Sequence, residues 1–261
     1  MMYRVIDALK GWASSSSDTS DKPTIFHVTQ HKCGSQWVAE VLKWSAADRF
    51  VLPQEFSKHF TEGDLKQGFV YPTVYLDREE FYRVLEKNSH IENMKIFVVI
   101  RDLRDILISL YFSFKNSHPR NFKAIQRFAH IVESKDLDDA LIYLIDTQMR
   151  LHAARQSSWM NDGCKIVRYE ELIENENEQF RSLLSYLEIN RDSRFINRII
   201  EHNSFVNVSG RKPGVEDVSK HQRKGISGDW ENYFSIRVKD YFKEQLGQSL
   251  IETGYEVDLN W

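Results

Sequence analysis

Blocks of apolar residues with two different spacings run along this chain and divide it into strands and helices. Thr24 to Thr29 (TIFHVT) is short and rich in β-branched and aromatic residues, which predicts a strand. Gln30 to Gly34 is polar and reads as a loop. Ser35 to Ala47 then sets Trp37, Val38, Val41, Leu42 and Trp44 near helical spacing. Lys95 to Ile100 (KIFVVI) is a continuous apolar run of the kind buried in parallel sheets. It stops at Arg101-Asp102, and Asp105 to Phe114 continues as a helix. Asp138 to Trp159 predicts a long helix, and Lys165 to Tyr169 (KIVRY) a third strand leading into an acidic helix, Glu170 to Leu187. Strand, loop and helix recur three times, the pattern of an α/β domain with a central parallel sheet flanked by helices.

The polar tract at residues 13–22 (ASSSSDTSDK) makes residues 1–22 an expected flexible lead-in and 23–261 a single domain. Asn207 to His221 reads as a long loop and Ile236 to Thr253 as a closing helix. At 41% hydrophobic and 28% charged residues, the chain has enough apolar material for a packed core. Its net charge of −3 supplies no basic field for nucleic acid, so any anion site has to be local. No apolar run is long enough for a membrane span, and no secretory h-region is visible. Cys33 and Cys164 stand far apart, which fits a reducing, cytoplasmic setting better than a disulfide scaffold or zinc module.

The chemistry gathers at the predicted strand ends. After the first strand, Gly34 turns the chain into a helix whose N-terminal N–H groups suit a phosphate. Lys32 adds an ammonium, and Ser35 and Gln36 add short donors. An ordinary strand–helix connection capped by Ser35 explains the same residues equally well. A Walker A loop does not, because here the lysine precedes the glycine. After Ile100, Arg101 points from a strand's carboxyl end to where open α/β sheets bind ligands, though a surface pair with Asp105 is the plainer role.

These segments resemble PAPS-dependent sulfotransferases, which use 3′-phosphoadenosine-5′-phosphosulfate (PAPS) as donor. Thr29 to Trp37 is similar to their 5′-phosphosulfate loop, T-Y-P-K-S-G-T-T-W, with Thr29, Lys32, Gly34 and Trp37 identical. Arg101 to Tyr111 resembles the 3′-phosphate element R-N-P-K-D-x-x-x-S-Y-Y through Arg101, Asp105, Ser109 and Tyr111. Arg223 to Phe234 resembles R-K-G-x-x-G-D-W-K-N-x-F at eight positions, the most specific match in the chain. The resemblance implies a P-loop-like fold and a small-molecule acceptor. It assigns Lys32, Cys33, Gly34, Ser35 and Gln36 to the 5′ side of the donor, with Lys32 assisting departure of the nucleotide. Arg101, Ser109, Arg223, Lys224 and Gly225 fall to the 3′-phosphate, and Trp37, Tyr169 and Phe205 to the adenine. Residues 50 to 94 carry no anchor for the alignment.

The general base is where the pattern thins. Many members supply a histidine from a K-T-H-L-P strand, and this chain has no such string. The nearest fragment, Phe56 to Phe60, makes His59 the expected base, with His31 beside Lys32 as the alternative. Phe69 to Tyr75 occupies the natural strand position and holds no histidine. A nucleotide kinase and a non-catalytic nucleotide-binding domain of the same fold are the competing readings. A dimer motif common in the family keeps only Asp240 of its charges in Glu231 to Asp240, so that contact is expected to be absent and the oligomeric state stays open.

Overall fold

The computed structural model describes residues 19–117 and 123–261. Most of the expected lead-in, residues 1–18, lies outside the described residues. Its last residues are held against the domain: Lys22 Nζ pairs with Asp48 at 3.2 Å.

Four parallel strands, β1 (Thr24–Val28), β2 (Val70–Val74), β3 (Met94–Ile100) and β4 (Lys165–Arg168), lie in the order β2-β1-β3-β4. Their side chains alternate between two cores, as a period of two requires when both faces are covered. Ile25, Phe97, Val99 and Val167 point into one cluster, and Phe26, Ile96, Val98 and Ile100 into the other. Pro72, which has no N–H to donate, is tolerated because β2 is an edge strand. The register against β1 slips there, Thr73 takes a φ of 53°, and its N–H donates to His27 Nδ1 at 3.3 Å.

The helices are α1 (Ser35–Ser45), the single turn α2 (Lys58–Thr61), α3 (Arg78–Glu86), α4 (Leu103–Phe112), α5 (Lys123–Glu133), α6 (Leu137–Leu144), α7 (Arg150–Trp159), α8 (Tyr169–Glu174), α9 (Glu176–Tyr186), α10 (Ser193–Asn203), α11 (Phe205–Ser209) and α12 (Ile236–Glu252). The long helix expected over 138–159 carries a π-turn at Ile145–Met149, which separates α6 from α7. The acidic helix expected over 170–187 breaks at Asn175, whose φ and ψ are −136° and 58°. The expectation missed α3 and α10, although each has an aspartate N-cap: Asp77, in a reciprocal box with Glu80, and Asp192.

β1 leads to β2 on one side, whereas β3 leads to β4 on the other. The carboxyl ends of β1 and β3 therefore flank the point where the winding reverses, the usual ligand crevice of an open α/β sheet. The loop containing Lys32 and the residue Arg101 emerge side by side at that point.

Candidate active site

The loop after β1 is held in a conformation that few residues adopt. Lys32 and Gly34 both have left-handed backbones, with φ of 70° and 74°. Gly34 is the N-cap of α1, and a Cβ on it would stand 2.9 Å from the Tyr169 ring. Glycine is required here twice, by the backbone angle and by the ring. Cys33 is fully buried, and burial pushes its thiol up to about 12, so it packs as a thiol and not as a thiolate. Ser35 is buried with its Oγ accepting from Tyr75 Oη at 3.1 Å, and Gln36 is exposed. Trp37 stands edge-on to Tyr169 and to Phe180, with its buried Nε1 unpaired among the described residues.

Arg101 ties the β3 end to that loop. Its Nη1 donates to the Lys32 carbonyl at 2.9 Å, and its guanidinium lies 4.3 Å over the Tyr169 ring. Asp105 is 3.7 Å from Nη2, while Nε is buried without a partner among the described residues. Burial works against this charge, but Tyr169, Asp105 and Glu170 outweigh it and hold its pKa above the ordinary value. Gln156 on α7 accepts the Arg101 backbone N–H at 2.8 Å.

The third segment closes from the far end of the chain. Arg223 pairs with Glu216 and Asp229 and lies 4.4 Å over the Phe112 ring, and Lys224 pairs with Asp229 at 2.5 Å. Gly225 has a φ of 65°, and a Cβ there would stand 2.6 Å from the Phe205 ring. Asp105 fastens this loop to α4 through the N–H groups of Gly228 and Trp230. Ser109 is one turn from Asp105 and three residues before Phe112, so it lies on the α4 face that meets Arg101 and Arg223.

Lys32 is the remaining cation. Its Nζ makes no ion pair or hydrogen bond among the described residues, in contrast to every other cation of the cluster. Burial, then the charges of Arg101 and Arg223, lower its pKa to about 8.

His59, the expected base, sits among backbone partners. It is buried, its Nε2 meets the Pro72 carbonyl at 2.6 Å, and its Nδ1 accepts the Gln54 N–H at 3.2 Å. Both ring nitrogens are thus used by backbone, leaving no lone pair for a substrate proton. Burial also lowers its pKa. His31, by contrast, is exposed next to Lys32 and stacks on Tyr75 with ring centroids 4.3 Å apart. Sequence reading missed Tyr75 and Gln156. Tyr75 stands at the end of the strand position already noted, whereas nothing in the sequence around Gln156 points to Arg101.

The family model described as Sulfotransferase domain matches residues 22–254. The chain belongs to the sulfotransferase domain family. Human Sulfotransferase 1E1 is 22% identical to it, over 97% of this chain and 92% of that protein. Sulfotransferase 1B1 of Canis lupus familiaris is 34% identical over 97 residues, 31% of this chain and 33% of its own length. Among solved structures, mouse sulfotransferase SULT7A1 complexed with PAP covers 95% of this chain and 89% of its own, with a TM-score of 0.62 at 18% identity. A retinol dehydratase in complex with androsterone and the inactive cofactor PAP covers 90% and 83%, with a TM-score of 0.51 at 13% identity. Both share the fold. The chain is a PAPS-dependent sulfotransferase, and the kinase and non-catalytic readings are not favoured. Among the described residues of this sulfotransferase, no helix is long and apolar enough to cross a membrane.

Proposed function

We propose that this sulfotransferase moves the sulfonate of PAPS onto a hydroxyl or amine of a small-molecule acceptor, using Lys32 at the leaving phosphate and His31 as base. The observation that supports it most is the meeting of Lys32, Arg101 and Arg223 from three distant segments, with Lys32 alone unpaired. The donor fits these residues: Arg101 Nε and Trp37 Nε1 are buried and unpaired among the described residues, and Gly34 and Gly225 hold the backbone close to neighbouring rings.

Bound PAPS supplies an activated sulfonate whose S–O bond to phosphate breaks as the acceptor attacks in line. Lys32 and the N–H groups at the start of α1 stabilise the charge that collects on the phosphate oxygen, a preorganised electrostatic contribution. Arg101, Ser109, Arg223 and Lys224 hold the 3′-phosphate, and guanidinium groups suit this because they bond two oxygens at once. Trp37, Tyr169 and Phe205 offer faces and edges for the adenine. His31 accepts the acceptor proton as the new S–O or S–N bond forms. The acceptor is a small molecule, as is the androsterone in the retinol dehydratase complex.

Sulfur-35-labelled PAPS, incubated with panels of phenols, alcohols and amines, tests this. Label should appear in at least one product and fall by about a hundredfold or more in Lys32→Ala at saturating PAPS. Absence of any labelled product overturns the reading. Normal turnover by Lys32→Ala overturns the role of the lysine.

A further inference from the structure

Helix α7 passes beside Arg101 and Leu76 and carries two basic side chains, His152 and Arg155, that the transfer chemistry leaves unused and that pair with no carboxylate among the described residues. Its position is fixed by three hydrogen bonds. Gln156 accepts the Arg101 N–H at 2.8 Å, Trp159 Nε1 donates to the Leu76 carbonyl at 3.2 Å, and Ser158 Oγ accepts the Arg78 N–H at 3.1 Å. The helix therefore runs from the end of β3 across the chain that leaves β2, beside the residue that follows Tyr75. The π-turn before it shifts the side-chain register, and π-turns gather at functional sites for this reason. In the register that results, His152 and Gln156 are buried one turn apart on the same side.

His152 is 8% exposed, and its Nδ1 is buried without a hydrogen-bond partner among the described residues. Arg155 is half-buried with a sealed, unpartnered Nε, and no carboxylate pairs with it among the described residues. α7 itself contains no acidic residue. His152, Arg155 and Gln156 fall three and four residues apart, so they are neighbours on one side of α7. Burial, then the charges of His31 and Arg155, depress the His152 pKa to about 3. A buried ring nitrogen without a partner costs free energy, as does an arginine partly withdrawn from water without a counter-charge. In the tautomer with its proton on Nδ1, an oxyanion bound by His152 and Arg155 relieves both costs.

We infer that His152 and Arg155 form an acceptor subsite that reads an anionic group, so that the preferred acceptors are hydroxyl or amine compounds also bearing a carboxylate or similar oxyanion. The inference rests on the sulfotransferase reading of the Lys32 site. In this arrangement the anion lies against α7, and the reacting hydroxyl or amine lies between His31 and Lys32.

Matched phenols test it, for example 4-hydroxyphenylacetate against 4-hydroxyphenylacetamide, extended over several chain lengths. The two differ in charge and little in size. The carboxylate members should show kcat/KM at least about tenfold higher, most of it in KM, because the anion is bound alike in ground and transition states. Arg155→Gln should collapse that ratio towards one, Arg155→Lys should restore part of it, and His152→Asn should reduce it. The PAP-induced melting shift, measured on each variant, verifies an intact donor site. Equal or better use of the amides, or a preference that survives Arg155→Gln, overturns the inference while leaving the sulfotransferase reading intact. Failure of every acceptor, charged or neutral, overturns that reading and the inference with it.

Discussion

Asp105 accepts the backbone N–H of Gly228 at 2.8 Å, and this bond fastens the C-terminal phosphate loop to the helix that follows β3. Its second oxygen accepts the Trp230 N–H at 3.1 Å. The carboxylate is buried, and burial holds its pKa above the ordinary range while Arg101 pulls it back. In Asp105→Asn one oxygen becomes an NH2 group facing an N–H, leaving a buried donor unsatisfied at a cost of about 1–3 kcal/mol. PAP affinity, measured by calorimetry, should fall about tenfold or more, with a lower melting temperature. Unchanged affinity would show that the loop does not depend on this bond.

Lys32 should impose a pH dependence on donor capture. A lysine with a pKa lowered to about 8 is cationic below that pH and neutral above it. The value of kcat/KM for PAPS, which reports the free enzyme, should therefore fall as pH rises through about 8. Lys32→Arg should remove the fall, because a guanidinium stays charged throughout. A flat wild-type profile to pH 10 would contradict the assigned charge state.

On the proposed donor site, Glu216 should compete with the donor for Arg223. It and Asp229 hold Arg223, and Glu216 comes from an exposed loop. A 3′-phosphate must share or displace these carboxylates to reach the guanidinium. Glu216→Gln removes a charge without removing volume and should tighten PAP binding several-fold in calorimetry. Weaker binding would show that Glu216 orients Arg223 for the phosphate.

The two histidines should separate cleanly. His31→Ala should lower kcat by about 10²–10⁴-fold with little change in PAP affinity, as loss of a general base does. His59→Ala should lower the melting temperature and leave kcat within a few-fold, because its ring bonds backbone at Pro72 and Gln54. The opposite pattern would restore His59 as the base.

Much of the sheet, and the meeting of the candidate donor residues, was legible because those residues lie next to strand ends, where local pattern and chemistry coincide. Thr24–Val28, Lys95–Ile100 and Lys165–Arg168 are apolar runs that end at Lys32, Arg101 and Tyr169 within a few residues. What was not legible depends on side chains brought together only by topology. Tyr75 meets His31 and Ser35 because β2 pairs with β1, and Gln156 reaches Arg101 because α7 crosses the end of β3. His59 shows the same limit: likeness to a short string made it the candidate base, and only the fold shows its ring nitrogens meeting backbone at Pro72 and Gln54. The break at Asn175 and the π-turn at Ile145–Met149 also escaped, since hydrophobic periodicity continues across both.

The donor site is the claim on which the rest stands, and thermal unfolding with PAP against ATP–magnesium tests it most directly. PAP at 100 times its Kd adds about 2.7 kcal/mol of stability. For a domain of this size that is roughly 5–10 °C in Tm. The account predicts a PAP shift of that order in the wild type, a much smaller one in Arg101→Gln, and little shift from ATP–magnesium. No shift with PAP, or an equal or larger shift with ATP–magnesium, would contradict it.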